Sequence, residues 1–194
     1  MSRHGWLVIL LLGLPVLGSC RAKAPPYEGK SVAELKAMLK DPRAEVRVQG
    51  AFGLGRLGPE AREAVPDLIE ALAGSDTLVR EQSAAALGKI GPDAAEAVPL
   101  LTEALRDGDW TVRRQAALAL GEIGSAARAA VPALKKLGQD PKELVRKAAR
   151  EALGKISRRA VRRRGRRDFL DGSLARRHDH EQPRRVSGLT RRIW

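Results

Sequence analysis

Cysteine is all but missing. The chain has one, Cys20, in 194 residues, which excludes an internal disulfide. Aromatic residues make up only 3% of a composition that is 43% hydrophobic. A core with so few rings has to be built from Ala, Leu and Val, which suits closely packed small helices better than a sandwich or barrel. Histidine is as scarce: His4, His178 and His180 are the three, and all lie near the ends. No His/Cys cluster is available to hold a metal, and no cofactor is expected. Between Ser31 and Ser157 there is no Cys, His or Tyr, so nothing there resembles a nucleophile paired with a base. Charge balance is missing in one place only. The formal net charge is +13, yet Ser31–Ser157 carries 19 basic and 18 acidic residues, whereas Arg158–Trp194 carries 13 arginines against 4 acids.

What is present is a repeat. Val46-Arg47, Val79-Arg80, Val112-Arg113 and Val145-Arg146 are each 33 residues apart. Leu54-Gly55, Leu87-Gly88, Leu120-Gly121 and Leu153-Gly154 keep the same spacing, as do Leu57, Ile90, Ile123 and Ile156. A second string, Val65-Pro66, Val98-Pro99 and Val131-Pro132, recurs in step and is followed by Leu68, Leu101 and Leu134. A fixed period of this length marks a stack of helix pairs.

The pattern predicts first helices over roughly 43–57, 76–90 and 109–123, and second helices over roughly 65–73, 98–106 and 131–137. A partial unit at 32–39 opens the array, and a last first-type helix starts near Lys142 and reaches at least Ile156. In Val79–Ile90 the apolar residues fall on one helical face. Gly91-Pro92 is a stop signal, because Gly tolerates the left-handed conformation and Pro cannot continue a helix. Asp41-Pro42 and Asp140-Pro141 read as N-cap plus first-turn pairs. Glycine inside a helix costs about 1 kcal/mol. Its recurrence at 55, 88, 121 and 154 therefore points to close approach of a neighbouring helix.

Val79, Arg80, Ala84, Leu87, Gly88, Ile90, Gly91, Val98, Pro99 and Leu101 together resemble the HEAT family, in the short form named after phycobilisome lyases. The resemblance covers about 125 residues and implies an all-α, right-handed α-solenoid of about four helix pairs. The last copy departs: Arg150 replaces the small residue and Ser157 the turn glycine. Enzymes related to this family include bilin lyases and di-iron hydroxylases. The hydroxylases carry His-Glu pairs on their repeats; here His180-Glu181 is a single pair outside them. A lyase or oxidoreductase relative is the alternative to a non-catalytic scaffold.

Two readings of Arg47, Arg80, Arg113 and Arg146 stand side by side. They form either a basic ladder for an anionic ligand or a structural ladder, each guanidinium pairing with a loop acid such as Asp76, Asp107, Asp109 or Asp140. The inner, concave surface is expected to be lined by second helices. Asp67, Glu70, Glu103, Arg106 and Lys136 are its expected polar members. That mixed-charge surface suits a protein or peptide and argues against nucleic acid. Trp110 stands where the other units have Ala44, Thr77 and Glu143; it is either a contact residue or a cover for the neighbouring loop.

The ends read differently. Arg3, the apolar run Trp6–Leu17 and Leu17-Gly18-Ser19-Cys20 compose a bacterial export signal over 1–19 whose end resembles a lipobox. The resemblance implies lipid attachment at Cys20, a tether over 20–30, the repeat array over 31–157, and anchoring at the cell envelope. Arg21, where Asp would signal inner-membrane retention, points to the outer membrane. The tail 158–194 is expected to be disordered beyond a turn or two of helix. In an exported protein it would meet anionic lipid or wall polymers, or remain solvated without a partner.

Overall fold

The computed structural model describes residues 25–170, with side chains to residue 157. The export segment, Cys20 and the tail past residue 170 lie outside the described residues. Within them every regular element is helical. The order is α1 (Val32–Leu39), α2 (Ala44–Leu57), α3 (Val65–Leu72), α4 (Thr77–Ile90), α5 (Val98–Ala104), α6 (Trp110–Ile123), α7 (Val131–Leu137) and α8 (Glu143–Leu170). The pairs α2/α3, α4/α5 and α6/α7 repeat one design, with α1 and α8 as half-units at either end.

Each boundary has a chemical cause. Ser31 caps α1 through a reciprocal box: its hydroxyl accepts from the Glu34 amide, and the Glu34 carboxylate accepts from the Ser31 amide at 2.9 Å. Asp76 and Asp109 cap α4 and α6 with side-chain oxygens. Asp41 and Asp140 do not cap helices as expected. The Asp41 carboxylate accepts from the Arg43 amide at 2.9 Å, and Asp140 accepts from the Lys142 amide at 2.8 Å. Both are loop-turn residues placed before the cap, so the proline after each lies in the loop.

The long helices stop at Gly58, Gly91 and Gly124, whose φ values of 59°, 76° and 76° suit residues without a Cβ. A seven-residue 3-10 connector follows each: Gly58–Ala64, Gly91–Ala97 and Gly124–Ala130. Each connector buries two alanines fully, Ala61 and Ala64 with counterparts at 94, 97, 127 and 130, and runs straight into the proline-started helices α3, α5 and α7.

The core is continuous along the array and made of Leu, Ala, Val and Ile. Tyr27 joins it from outside the repeats. Its ring lies 5.0 Å from that of Phe52, and the Lys89 ammonium sits 5.2 Å from the centre of the Phe52 ring. The stretch assigned to a tether therefore packs on the array through Tyr27. At the other end α8 continues to Leu170, thirteen residues past Ser157. This is about three and a half turns rather than one or two, so helix reaches well into the segment expected to be disordered.

Candidate partner-binding surface

The helices lie in two rows of unequal spacing. The row α2, α4, α6, α8 is in continuous contact, each member packed along the next. Glycine makes this closeness available. A Cβ on Gly88 would lie 2.9 Å from the Ala119 Cα, one on Gly121 would lie 2.9 Å from the Ala152 Cα, and one on Gly55 would lie 3.1 Å from the Ala86 Cα. In the second row α3, α5 and α7 scarcely touch one another; the connectors are wedged between them. A stack curves towards its closely spaced row, so the inner side is lined by α2, α4, α6 and α8. This corrects the expectation from sequence, which assigned the inner surface to the short helices.

The correction moves the expected contact residues to the outer side. Asp67 is on α3 and already engaged: Lys36 and Lys40 each approach it at 3.1 Å. Burial pushes its carboxyl pKa up, but hydrogen bonds and charge from Lys36 and Lys40 outweigh this and hold it below the usual range. Glu70 is exposed at the end of α3, and Glu103 is exposed on α5. Arg106 and Lys136 line a shallow groove between α5 and α7. Trp110 opens α6 and is partly buried against the core.

The arginine column is structural in its middle members. Nη1 of each arginine donates to two backbone carbonyls of the loop five and six residues earlier: Asp41 and Pro42 for Arg47, Gly74 and Ser75 for Arg80, Asp107 and Gly108 for Arg113, and Asp140 and Pro141 for Arg146. The other edge of the guanidinium reaches forward to the next unit. Arg80 grips Asp107 through Nε and Nη2 at 2.8 and 3.1 Å, and Arg113 grips Asp140 at 2.8 and 3.3 Å. Burial raises the Asp107 and Asp140 carboxyls, yet the facing guanidinium and a loop amide hold each below its ordinary value. Each pair bonds one loop to the next, while Nη1 of the same guanidinium satisfies two loop carbonyls.

The inner side carries a different column. Gln49, Gln82 and Gln115 are 33 residues apart on α2, α4 and α6 and partly exposed, and their side-chain amides are hydrogen-bonded to no described residue. Beside them run Phe52, Ala85 and Leu118. A groove of about 430 Å³ between α4 and α6 is lined by Gln82, Ala85, Lys89, Gln115, Leu118 and Glu122. Of these, Glu122 pairs at 2.7 Å with Lys155, which also meets Glu151 at 2.6 Å. The sequence reading missed the glutamines, although their period is that of the arginines.

The structure resembles solved helical-repeat proteins. A designed armadillo repeat protein in complex with the peptide (KR)4 matches with a TM-score of 0.58 at 22% identity, over 64% of this chain and 64% of its own. Human deoxyhypusine hydroxylase in complex with glycerol matches at 0.55 and 34% identity, over 70% of this chain and 46% of its own. The complex of CpcE and CpcF of phycocyanin lyase from Nostoc sp. PCC7120 matches at 0.53 and 22% identity, over 76% and 72%. The chain thus spans less than two thirds of the designed protein and under half of the hydroxylase. No curated protein matches it. The family model for HEAT repeats matches residues 32–107 and 92–154, which is more than half of the chain. With that match and the repeated helix pairs, the chain belongs to the HEAT-repeat family.

Proposed function

We propose that the protein is a non-catalytic scaffold that holds an extended peptide, or an extended segment of a protein, along the inner side of α2, α4, α6 and α8. The observation that carries this reading is the column Gln49, Gln82, Gln115: three partly exposed side-chain amides, each with donors and an acceptor unused by the described residues. Packed helices lie about 8–10 Å apart. An extended polyproline-II chain advances about 9 Å in three residues. Successive glutamines therefore meet equivalent backbone amides of every third residue. The Phe52, Ala85 and Leu118 column offers apolar surface to the side chains between.

The designed armadillo protein that shares the fold was solved with a peptide, which supports the reading by analogy of fold only. The lyase and hydroxylase likenesses supply the rival, an enzyme or enzyme subunit. Against it stands the sequence, with no His or Cys anywhere in Ser31–Ser157.

The scaffold is exported and lipid-anchored at Cys20 in the same proposal, on the strength of the lipobox-like Leu17-Gly18-Ser19-Cys20. Selection of random displayed peptides on the full-length protein tests the binding reading. Enrichment of extended, apolar-containing peptides supports it; bound iron or pigment with no enriched peptide points to the rival. Incorporation of labelled fatty acid, lost in Cys20→Ser, tests the anchor.

A second reading rests on α8. The helix carries on through Arg158–Arg167, where seven of ten residues are arginine. Such a segment meets anionic lipid or wall polymer. Salt-sensitive retention on anionic vesicles, lost when 158–194 is removed, is the expected result.

A further inference from the structure

The four unit-joining loops carry an acid at one equivalent position in three cases, Asp41, Asp107 and Asp140, and Gly74 in the fourth. Asp107 and Asp140 each close the guanidinium fork of the arginine 27 residues before them. The arginine facing Gly74 is Arg47. Its Nη1 holds the carbonyls of Asp41 and Pro42 at 2.9 and 2.8 Å, as in the other units. Its Nε and Nη2, the edge that grips a carboxylate elsewhere, donate to no described residue. The same residue lines a groove of about 470 Å³ with Leu39, Lys40, Asp67, Glu70 and Gly74. The equivalent groove between α5 and α7, where Asp140 stands in place of Gly74, measures about 230 Å³.

We propose that Arg47 and the space left by Gly74 form a binding site for the side-chain carboxylate of an aspartate or glutamate on a partner protein, which completes the arginine–acid ladder in trans. The site lies at the loop edge, apart from the inner face, and does not depend on the peptide reading above. A planar fork of two N–H donors matches one carboxylate in bidentate fashion. The surrounding charges favour a single negative charge over a doubly charged phosphate. Asp67 is held between Lys36 and Lys40, Glu70 lies near Lys40, and Asp76 spends one oxygen on the amides of Leu78 and Val79.

The test is a titration of the full-length protein with N-acetyl-aspartate N-methylamide, followed through the Nε–H resonances of the arginines by NMR. Arg47 is expected to shift and saturate at a probe concentration at least about tenfold below that of the exposed Arg62 and Arg128, with Arg80 and Arg113 unmoved. The asparagine analogue leaves Arg47 unmoved, and inorganic phosphate binds it more weakly than the carboxylate. In Gly74→Asp the chain supplies its own acid, as at Asp107: the probe response disappears and Tm rises by about 2–5 °C. A Cβ at Gly74 comes 3.1 Å from the Ala71 carbonyl oxygen, a contact the loop relieves with a small shift, as its equivalents carrying Asp do.

Three results overturn the proposal. One is an Arg47 response no tighter than that of Arg62. Another is a response that survives in Gly74→Asp. The third is an Arg47 resonance that sits with those of Arg80 and Arg113 before any probe is added, which means an acid from the protein's own ends fills the site.

Discussion

Individual residues in this chain repeat a role with small, informative exceptions. Ser83 sits where the next units have Ala116 and Ala149; it is fully buried, and its hydroxyl has no hydrogen-bond partner. A buried hydroxyl without a partner keeps its desolvation cost uncompensated. Ser83→Ala is therefore expected to stabilise the protein by about 0.5–1.5 kcal/mol, read from urea unfolding. Asp140 shows the opposite case, since its pair with Arg113 is largely buried. Its folded pKa lies below the ordinary 3.8, so its contribution is complete above that value and is lost as pH falls through the depressed folded value. Asp140→Asn is expected to cost about 1–3 kcal/mol at pH 7 and to flatten the decline in stability below about pH 4. Equal pH slopes for both proteins would show that the pair contributes nothing.

At the scale of elements, the tight row of helices depends on glycine. Gly88→Ala gains about 1 kcal/mol of helix propensity. Against this, the new Cβ would meet the Ala119 backbone at 2.9 Å, which cannot rotate out of the way. The net expectation is a loss of about 1–3 kcal/mol, with α4 and α6 pushed apart. A neutral or stabilised variant would mean that the row is looser than described.

The long helices were legible almost to the residue. The expected ends at 57, 90 and 123 are met, with Gly91 stopping α4 as read, and Asp76 and Asp109 start two of them. The connectors were not legible, because Gly-Pro reads as an open turn. Their buried alanines, Ala61 and Ala64 with counterparts at 94, 97, 127 and 130, were the signal. Nor was the inner side. Periodicity tells which positions are buried, but not which row of helices is more tightly spaced. That information lay in the pairing of each recurrent glycine with an alanine 31 residues on: Gly55 with Ala86, Gly88 with Ala119, Gly121 with Ala152.

The whole molecule is a line of units, each held mainly by its neighbours. Damage should therefore stay local at the ends and spread from the middle. Tyr27→Ala removes a ring that packs on Phe52, beside Gly53 of α2 and Leu35 of α1. Hydrogen exchange is expected to speed up in α1 and the second half of α2, leaving α6 protected. Gly88→Ala is expected to raise exchange on both sides of the break. The arginine–acid ladder has the same linear character, joining α4's unit to α6's and α6's to α8's, and stopping at Gly74.

The central claim is that a partner lies along α2, α4, α6 and α8. The most direct measurement is the affinity of a peptide selected on the wild-type protein for two double variants, Gln82→Ala/Gln115→Ala and Glu103→Ala/Lys136→Ala. The expected result is a loss of tenfold or more, about 1.4 kcal/mol, for the glutamine pair and little change for the other. Unchanged binding to the glutamine variant, with loss in the Glu103/Lys136 variant, would place the partner on the short helices and contradict the account.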